Sequence, residues 1–105
     1  MEFRVPLPTV SVVDFTAHLS HAASAEEVNA AMKAAAEGPM KGYLACTEEE
    51  LVSSDMRGNP HSPVFSAVDT IALDDMVKFV ACYDNEQGYA CRSADMCEFM
   101  AQKGL

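Results

Sequence analysis

Chain length most limits what this sequence can fold into. Its 105 residues leave room for one domain. Surface scaling with mass allows roughly two-thirds of the unfolded chain's surface to be buried, which supports one modest core. A catalytic domain and a separate dinucleotide-binding domain would not both fit. We therefore expect residues 1–105 to form a single domain.

The chain is strongly acidic. It carries 16 acidic and 7 basic side chains, a formal net charge of −9. A phosphate backbone repels such a surface, so no nucleic-acid partner is expected. The acid excess favours either a solvated surface or docking on a basic surface of a partner protein. No apolar run approaches the ~20 residues of a membrane-spanning helix, so no membrane span is expected.

The cysteines show no ligand or redox spacing. None of the four forms a C-x-x-C pair, and the N-terminal MEFRVPLP lacks the apolar core of a signal peptide. We interpret the thiols as small buried apolar groups in a reducing compartment, with no disulfide and no metal. They are Cys46, Cys82, Cys91 and Cys97.

The clearest local element is a helix over 24–38. Ser24 and Glu27 have capping-box spacing, in which each side chain satisfies a free amide at the helix start. Gly38 suits the residue after the last turn, and Pro39 prevents continuation. The pattern predicts a short helix with defined ends.

A second helix is predicted over 86–103, with Asn85 or Asp84 as its cap. Residues three and four apart share a helix face, and the predicted face here is interpreted as packing on the core. It consists of Tyr89, Ser93, Met96 and Met100.

Alternating apolar residues and turn signals predict a sheet. The predicted strands are 10–19, 42–47, 51–54, 64–73 and 76–83. Asp74 and Asp75 join the last two as a hairpin. Strands interrupted by one helix and followed by another indicate an α+β fold, a largely antiparallel sheet with two helices packed on one face.

A few polar residues are candidates for chemistry. Four of them have the residue types of a hydrolase triad: Ser53, Ser54, Asp55 and His61. No nucleophile-elbow glycine pattern surrounds either serine, so local hydrogen bonds are the better interpretation. His18 and His21 are interpreted as surface residues rather than metal ligands. No glycine-rich phosphate loop occurs.

Six motifs occur in order along the chain and carry a family resemblance. They are F-R-V-P-x-P-x-V-S-V-V-D at 3–14, E-G-P-M-K-G at 37–42, V-S-S-D at 52–55, R-G-N-P-H-S at 57–62, D-x-M-V-K at 74–78 and Y-D-N-E-x-G-Y at 83–89. Together they resemble the catalytic domain of glyceraldehyde-3-phosphate dehydrogenase. The resemblance covers nearly the whole chain. It implies the C-terminal part of that domain without its Rossmann domain, in the cytoplasm or the plastid stroma.

The resemblance also implies what is missing. The family's nucleophilic cysteine lies in an S-C-T-T-N motif that is absent here, and its base histidine lies upstream of F-R-V-P. We therefore expect no catalytic residue and no activity from the chain on its own. Asn85 and Tyr89 match the family residues beside the nicotinamide of NAD. Without the Rossmann domain we expect this site to be vestigial and Asn85 to cap the helix.

Two hypotheses follow. Cys82 and Gln87 stand where the family usually has Trp, which favours a non-catalytic structural or accessory subunit. Such a subunit would bind a larger protein assembly or self-associate, and it would need no cofactor. The alternative is a C-terminal fragment or split half of phosphorylating glyceraldehyde-3-phosphate dehydrogenase, an NAD(P)-dependent oxidoreductase. It would regain activity, and bind NAD, only with an N-terminal half.

Overall fold

Four strands form one sheet in the computed structural model, which describes residues 3–105. The strands are β1 (Ser11–His18), β2 (Ala45–Thr47), β3 (Val64–Leu73) and β4 (Met76–Tyr83). Their order across the sheet is β1-β4-β3-β2. β4 is antiparallel to both of its neighbours, and β2 is parallel to β3. The helices are α1 (Ala25–Glu37) and α2 (Asn85–Gln102). The predicted α+β class, with a largely antiparallel sheet and two helices, is confirmed.

The β3–β4 hairpin lies where the turn signal placed it. Asp74 has a φ of 53°, a left-handed conformation that Asp tolerates better than most residues. The carbonyl oxygens of the turn also hold β1 and the chain that follows it. The amide of Leu19 donates to Asp75 over 2.7 Å, and that of Ala23 donates to Asp74 over 3.3 Å.

The ends and packing of α1 follow from its sequence. The Ser24 hydroxyl accepts from the Glu27 amide over 3.2 Å, and the Glu27 carboxylate accepts from the Ser24 amide over 2.8 Å. The predicted capping box is therefore present. Asn29 fastens the helix to β3, because its side chain donates to the Ala67 carbonyl over 2.9 Å and accepts from Thr70 over 2.7 Å.

The core lies at the centre of the sheet. Its buried apolar residues are Leu44, Met56, Val64, Phe65, Val77, Ala81 and Cys82. The ring of Phe79 lies 5.6 Å from that of Phe65 and 5.3 Å from that of Phe15, so one aromatic row links three strands. All four thiols are free, but only Cys82 is buried. The interpretation of every cysteine as buried is wrong, since Cys97 is exposed on α2.

The predicted strand at 51–54 is wrong. A 3-10 turn at Ser53–Met56 replaces it, because the Asp55 carboxylate accepts from the Val52 amide over 2.9 Å and closes the turn locally. The strand predicted at 42–47 is confirmed only over β2, since a turn containing Gly42 (φ 85°) precedes it.

α2 is held at its start rather than along its length. Gly88 is its one buried residue, and a Cβ there would lie 3.5 Å from the His61 carbonyl oxygen. Met96 is 57% exposed and Met100 43%, so the predicted packing of this face on the core is wrong. In the described part of the chain, neither helix is both long and apolar enough to cross a membrane.

Candidate functional site

The start of α2 is built around a buried carboxylate. Asp84 is 7% exposed and accepts from the Gln87 amide over 3.0 Å and from the Gly58 amide over 2.8 Å. These backbone donors, that of Gly58 first, hold the pKa of Asp84 below its usual value. Asp84 is therefore the cap of the helix. The expectation that Asn85 would fill that role is wrong, because Asn85 is the first helical residue.

The side chain of Asn85 is fastened to β1. The Ser11 hydroxyl donates to Asn85 Oδ1 over 3.0 Å and accepts from Asn85 Nδ2 over 2.8 Å. A primary amide has two N–H donors and two acceptor lone pairs. One donor and one acceptor of this exposed amide therefore stay open to a further group.

The segment before β1 makes a second contact with the same helix start. Thr9 Oγ1 donates to the Glu86 carboxylate over 2.9 Å. Between Thr9 and Ser11, Val10 has a φ of 75°, which a β-branched residue rarely adopts. The backbone bend at Val10 thus lies between two hydrogen bonds to the first turn of α2.

Tyr89 follows Asn85 by one turn, so both side chains lie on one side of the helix. Its side chain is 77% exposed. Two turns after Asn85, the helix is anchored by Arg92. That guanidinium donates to Ser62 Oγ over 3.0 Å and lies 4.7 Å from the centre of the Tyr43 ring. The structure therefore leaves the Tyr89 ring exposed and part of the Asn85 amide free, and it anchors the helix further along at Arg92.

The hydrolase candidates do not form a hydrogen-bonded triad. The His61 ring is bonded to Asn59 Oδ1 at 2.9 Å, and the carboxylate of Asp55 is bonded to the backbone amide of Val52. Within residues 3–105, no hydrogen bond joins His61 to Asp55 or to either serine at 53 and 54. Asp55 and His61 instead form hydrogen bonds to residues two or three positions away.

The remaining histidines lie at the surface, as expected. His18 Nδ1 is 3.7 Å from the Asp75 carboxylate, and both side chains are mostly exposed. The His21 ring is bonded to the Ser20 hydroxyl at 2.9 Å. Across the described residues, no three His, Cys, Asp or Glu side chains gather as a metal site.

Sequence reasoning missed three residues of this region: Thr9, Ser11 and Arg92. Their partners are 77, 74 and 30 residues away along the chain. Local spacing patterns cannot predict such contacts, because they relate only residues that are close in sequence. The one available signal was that Thr9 and Ser11 are polar residues within the motif at 3–14 and that Arg92 closely follows the motif at 83–89.

Comparison of the sequence with known proteins places the chain in a family. Residues 1–85 match the family described as glyceraldehyde 3-phosphate dehydrogenase, C-terminal domain. This chain belongs to that family. The resemblance predicted from the six motifs is confirmed.

Individual dehydrogenases match along nearly the whole chain. The glyceraldehyde-3-phosphate dehydrogenase of Geobacillus stearothermophilus is 52% identical over 106 residues, which cover 100% of this chain and 32% of the relative. The testis-specific enzyme of Mus musculus is 54% identical over 101 residues, or 95% of this chain and 23% of the relative. The chain thus spans a third or less of the length of these relatives. The family match ends at the first residue of α2, and the Geobacillus alignment continues through that helix.

Proposed function

We propose that this chain is the C-terminal part of the catalytic domain of a phosphorylating glyceraldehyde-3-phosphate dehydrogenase, active only together with an N-terminal part. The match of the whole chain to dehydrogenases of about three times its length carries this proposal. It is supported by the start of α2, where Asn85 and Tyr89 of the family motif lie open on one side of the helix.

Two of the four thiols are poorly suited to act as a nucleophile. Burial raises the pKa of the Cys46 thiol and of the Cys82 thiol. A thiol must lose its proton to attack an aldehyde, so both are poor nucleophiles at neutral pH. In this proposal the N-terminal part supplies the nucleophile, the base and the Rossmann domain that binds the cofactor.

The side chains at the start of α2 fit a nicotinamide cofactor. Either the open N–H or the open lone pair of Asn85 can bond to a primary carboxamide, which itself offers N–H donors and an acceptor oxygen. The exposed Tyr89 ring offers a flat apolar face on the same side of the helix. NAD, when bound, supplies the hydride acceptor, and these two residues would orient its nicotinamide.

Complementation tests the proposal. The partner is the part of the Geobacillus stearothermophilus enzyme that precedes its match to this chain, and complex formation is verified by sedimentation. With glyceraldehyde 3-phosphate, inorganic phosphate and NAD, we expect NADH absorbance to rise only when both parts are present. Asn85→Ala should slow the rise. Gln102→Ala, an amide at the far end of α2, should not. A verified complex that forms no NADH would contradict the proposal.

A second candidate is an accessory subunit without chemistry. Exposed apolar side chains on β1 and α2, with Phe15 and Phe99 about half exposed, favour a protein partner. The net charge of −9 favours a basic one. Either role belongs in a reducing compartment, the cytoplasm or the plastid stroma. A monodisperse monomer that binds no apolar dye would count against the accessory role.

A further inference from the structure

We propose that Ser11 is a positioning residue for Asn85, holding the amide plane of that side chain so that one of its open groups, the second N–H or the second lone pair of Oδ1, is aimed at a carboxamide ligand. The inference rests on the proposed function and deepens it. It assigns a role to a residue in β1, far from Asn85 in sequence, that would act through Asn85.

The first argument is the geometry of the contact. The hydroxyl of Ser11 is bonded to both ends of the Asn85 amide, at 3.0 Å to Oδ1 and 2.8 Å to Nδ2. The terminal torsion of Asn is broad and has no sharp rotamer. A group bonded to both ends of the amide restrains this torsion before any ligand binds. The side chain then loses less conformational entropy when a ligand does bind.

The second argument is how rigidly Ser11 itself is placed. It is the first residue of β1 and lies opposite Tyr83 in the antiparallel register with β4. Tyr83 is two residues before Asn85 and ends the strand that leads into α2. Both partners of the contact are therefore fixed by the same strand pair, and Asp84 between them is held by its own backbone donors.

The third argument is the backbone before Ser11. Val10 lies in the left-handed region at a φ of 75°. A β-branched residue stays there only when its neighbours hold it, and such outliers cluster at functional sites. Here Thr9 is bonded to Glu86 on one side of the bend and Ser11 to Asn85 on the other. The bend is what lets both residues reach the first turn of α2.

NMR on the isolated chain tests the restraint directly, through the nitrogen relaxation order parameter of the Asn85 Nδ2 group, which reports how far the whole side-chain amide reorients. We expect Ser11→Ala to release the amide and Ser11→Thr, which keeps a hydroxyl, to restore the restraint. Ser20→Ala is the matched control, because that hydroxyl bonds to His21 beyond the other end of β1. If Ser11→Ala fails to fold, Ser11→Cys keeps the shape and should also loosen the amide. An amide as restrained in the folded variant as in the wild type would overturn the inference.

The complemented enzyme gives the functional readout. Loss of one hydrogen bond that orients a ligand contact should raise KM for NAD roughly three- to tenfold, with a smaller change in kcat. Ser11→Thr should recover most of that loss. An active Ser11→Ala complex with unchanged KM would overturn the role of Ser11. A wild-type complex without activity would instead refute the proposed function, while the NMR result still decides the restraint.

Discussion

The two helices differ in what covers their apolar sides. In α1, Val28 and Met32 are half-buried, and Asn29 is bonded to β3. In α2, Met96 is 57% exposed and Phe99 53%. Both helices begin at a well-formed cap. Capping therefore does not explain the difference, and the surface available beneath each helix does.

The comparison shows which part of the fold this chain completes by itself. Its own sheet packs against α1, whereas only the first two turns of α2 find partners, in the loop at 57–63 and in residues 9–11. A chain that spans about a third of its relatives is expected to leave such a face open. Under the proposed function, the N-terminal part would cover the exposed half of α2.

The largest effect should come from the core of the sheet. Phe65 is fully buried, so Phe65→Ala should lower the free energy of unfolding by about 3–5 kcal/mol. Phe99→Ala is the matched change on α2 and should cost less than about 0.5 kcal/mol in the isolated chain. Urea denaturation measures both. Equal losses would mean that Phe99 is packed as closely as Phe65 and that α2 is already covered in the isolated chain.

The next effect concerns the anchor of α2. Arg92→Ala removes the bonds to Pro60 and Ser62 and the contact with the Tyr43 ring. A loss of about 1–2 kcal/mol is expected from such contacts at a partly exposed site. Arg92→Lys should recover only part, because an ammonium cannot reproduce the planar fork. Helicity by circular dichroism should fall with stability. An unchanged unfolding midpoint would show that Arg92 does not anchor α2.

A smaller effect is expected at the start of α1. Ser24→Ala removes one half of the capping box and should cost about 1 kcal/mol. Ser24→Asp keeps an acceptor at the cap and should cost little. The thermal midpoint is the measurement. If both variants were equally destabilised, the hydroxyl bond to Glu27 would not be what fixes this end of α1.

The last effect appears only in acid and concerns the start of α2. Because backbone donors lower the pKa of folded Asp84 from its usual value near 3.8, the carboxylate stabilises the fold fully above that value. This stabilisation is lost as pH falls through the lower folded pKa. Asp84→Asn should therefore lower the thermal midpoint at neutral pH, and the difference from the wild type should shrink below about pH 4. A difference that is constant with pH would contradict this assignment.

What the sequence predicted depended on how local the signal was. The hairpin at Asp74 and the cap at Ser24 are set by neighbours within a few residues, and both are confirmed. The strand expected at 51–54 failed because one carboxylate, Asp55, closes a turn there. The helical periodicity of α2 correctly placed Met96 and Met100 on one face. Periodicity does not show whether another part of the protein packs against that face.

The site shows the same limit. The motif at 83–89 pointed to Asn85 and Tyr89 by resemblance, and the choice of cap there was between two adjacent polar residues. The contact that fixes Asn85 comes from Ser11, 74 residues away. Such a contact depends on the register of β1 on β4, which only the folded structure supplies.

Amide hydrogen exchange on the two helices tests the central claim most directly. In the isolated chain, we expect the amides of residues 93–102 to exchange much faster than those in the middle of α1. Adding the N-terminal part of the Geobacillus stearothermophilus enzyme should slow exchange in 93–102 and leave α1 unchanged. Protection of α2 equal to that of α1 in the isolated chain would contradict the account, as would a verified complex in which 93–102 exchange as fast as before.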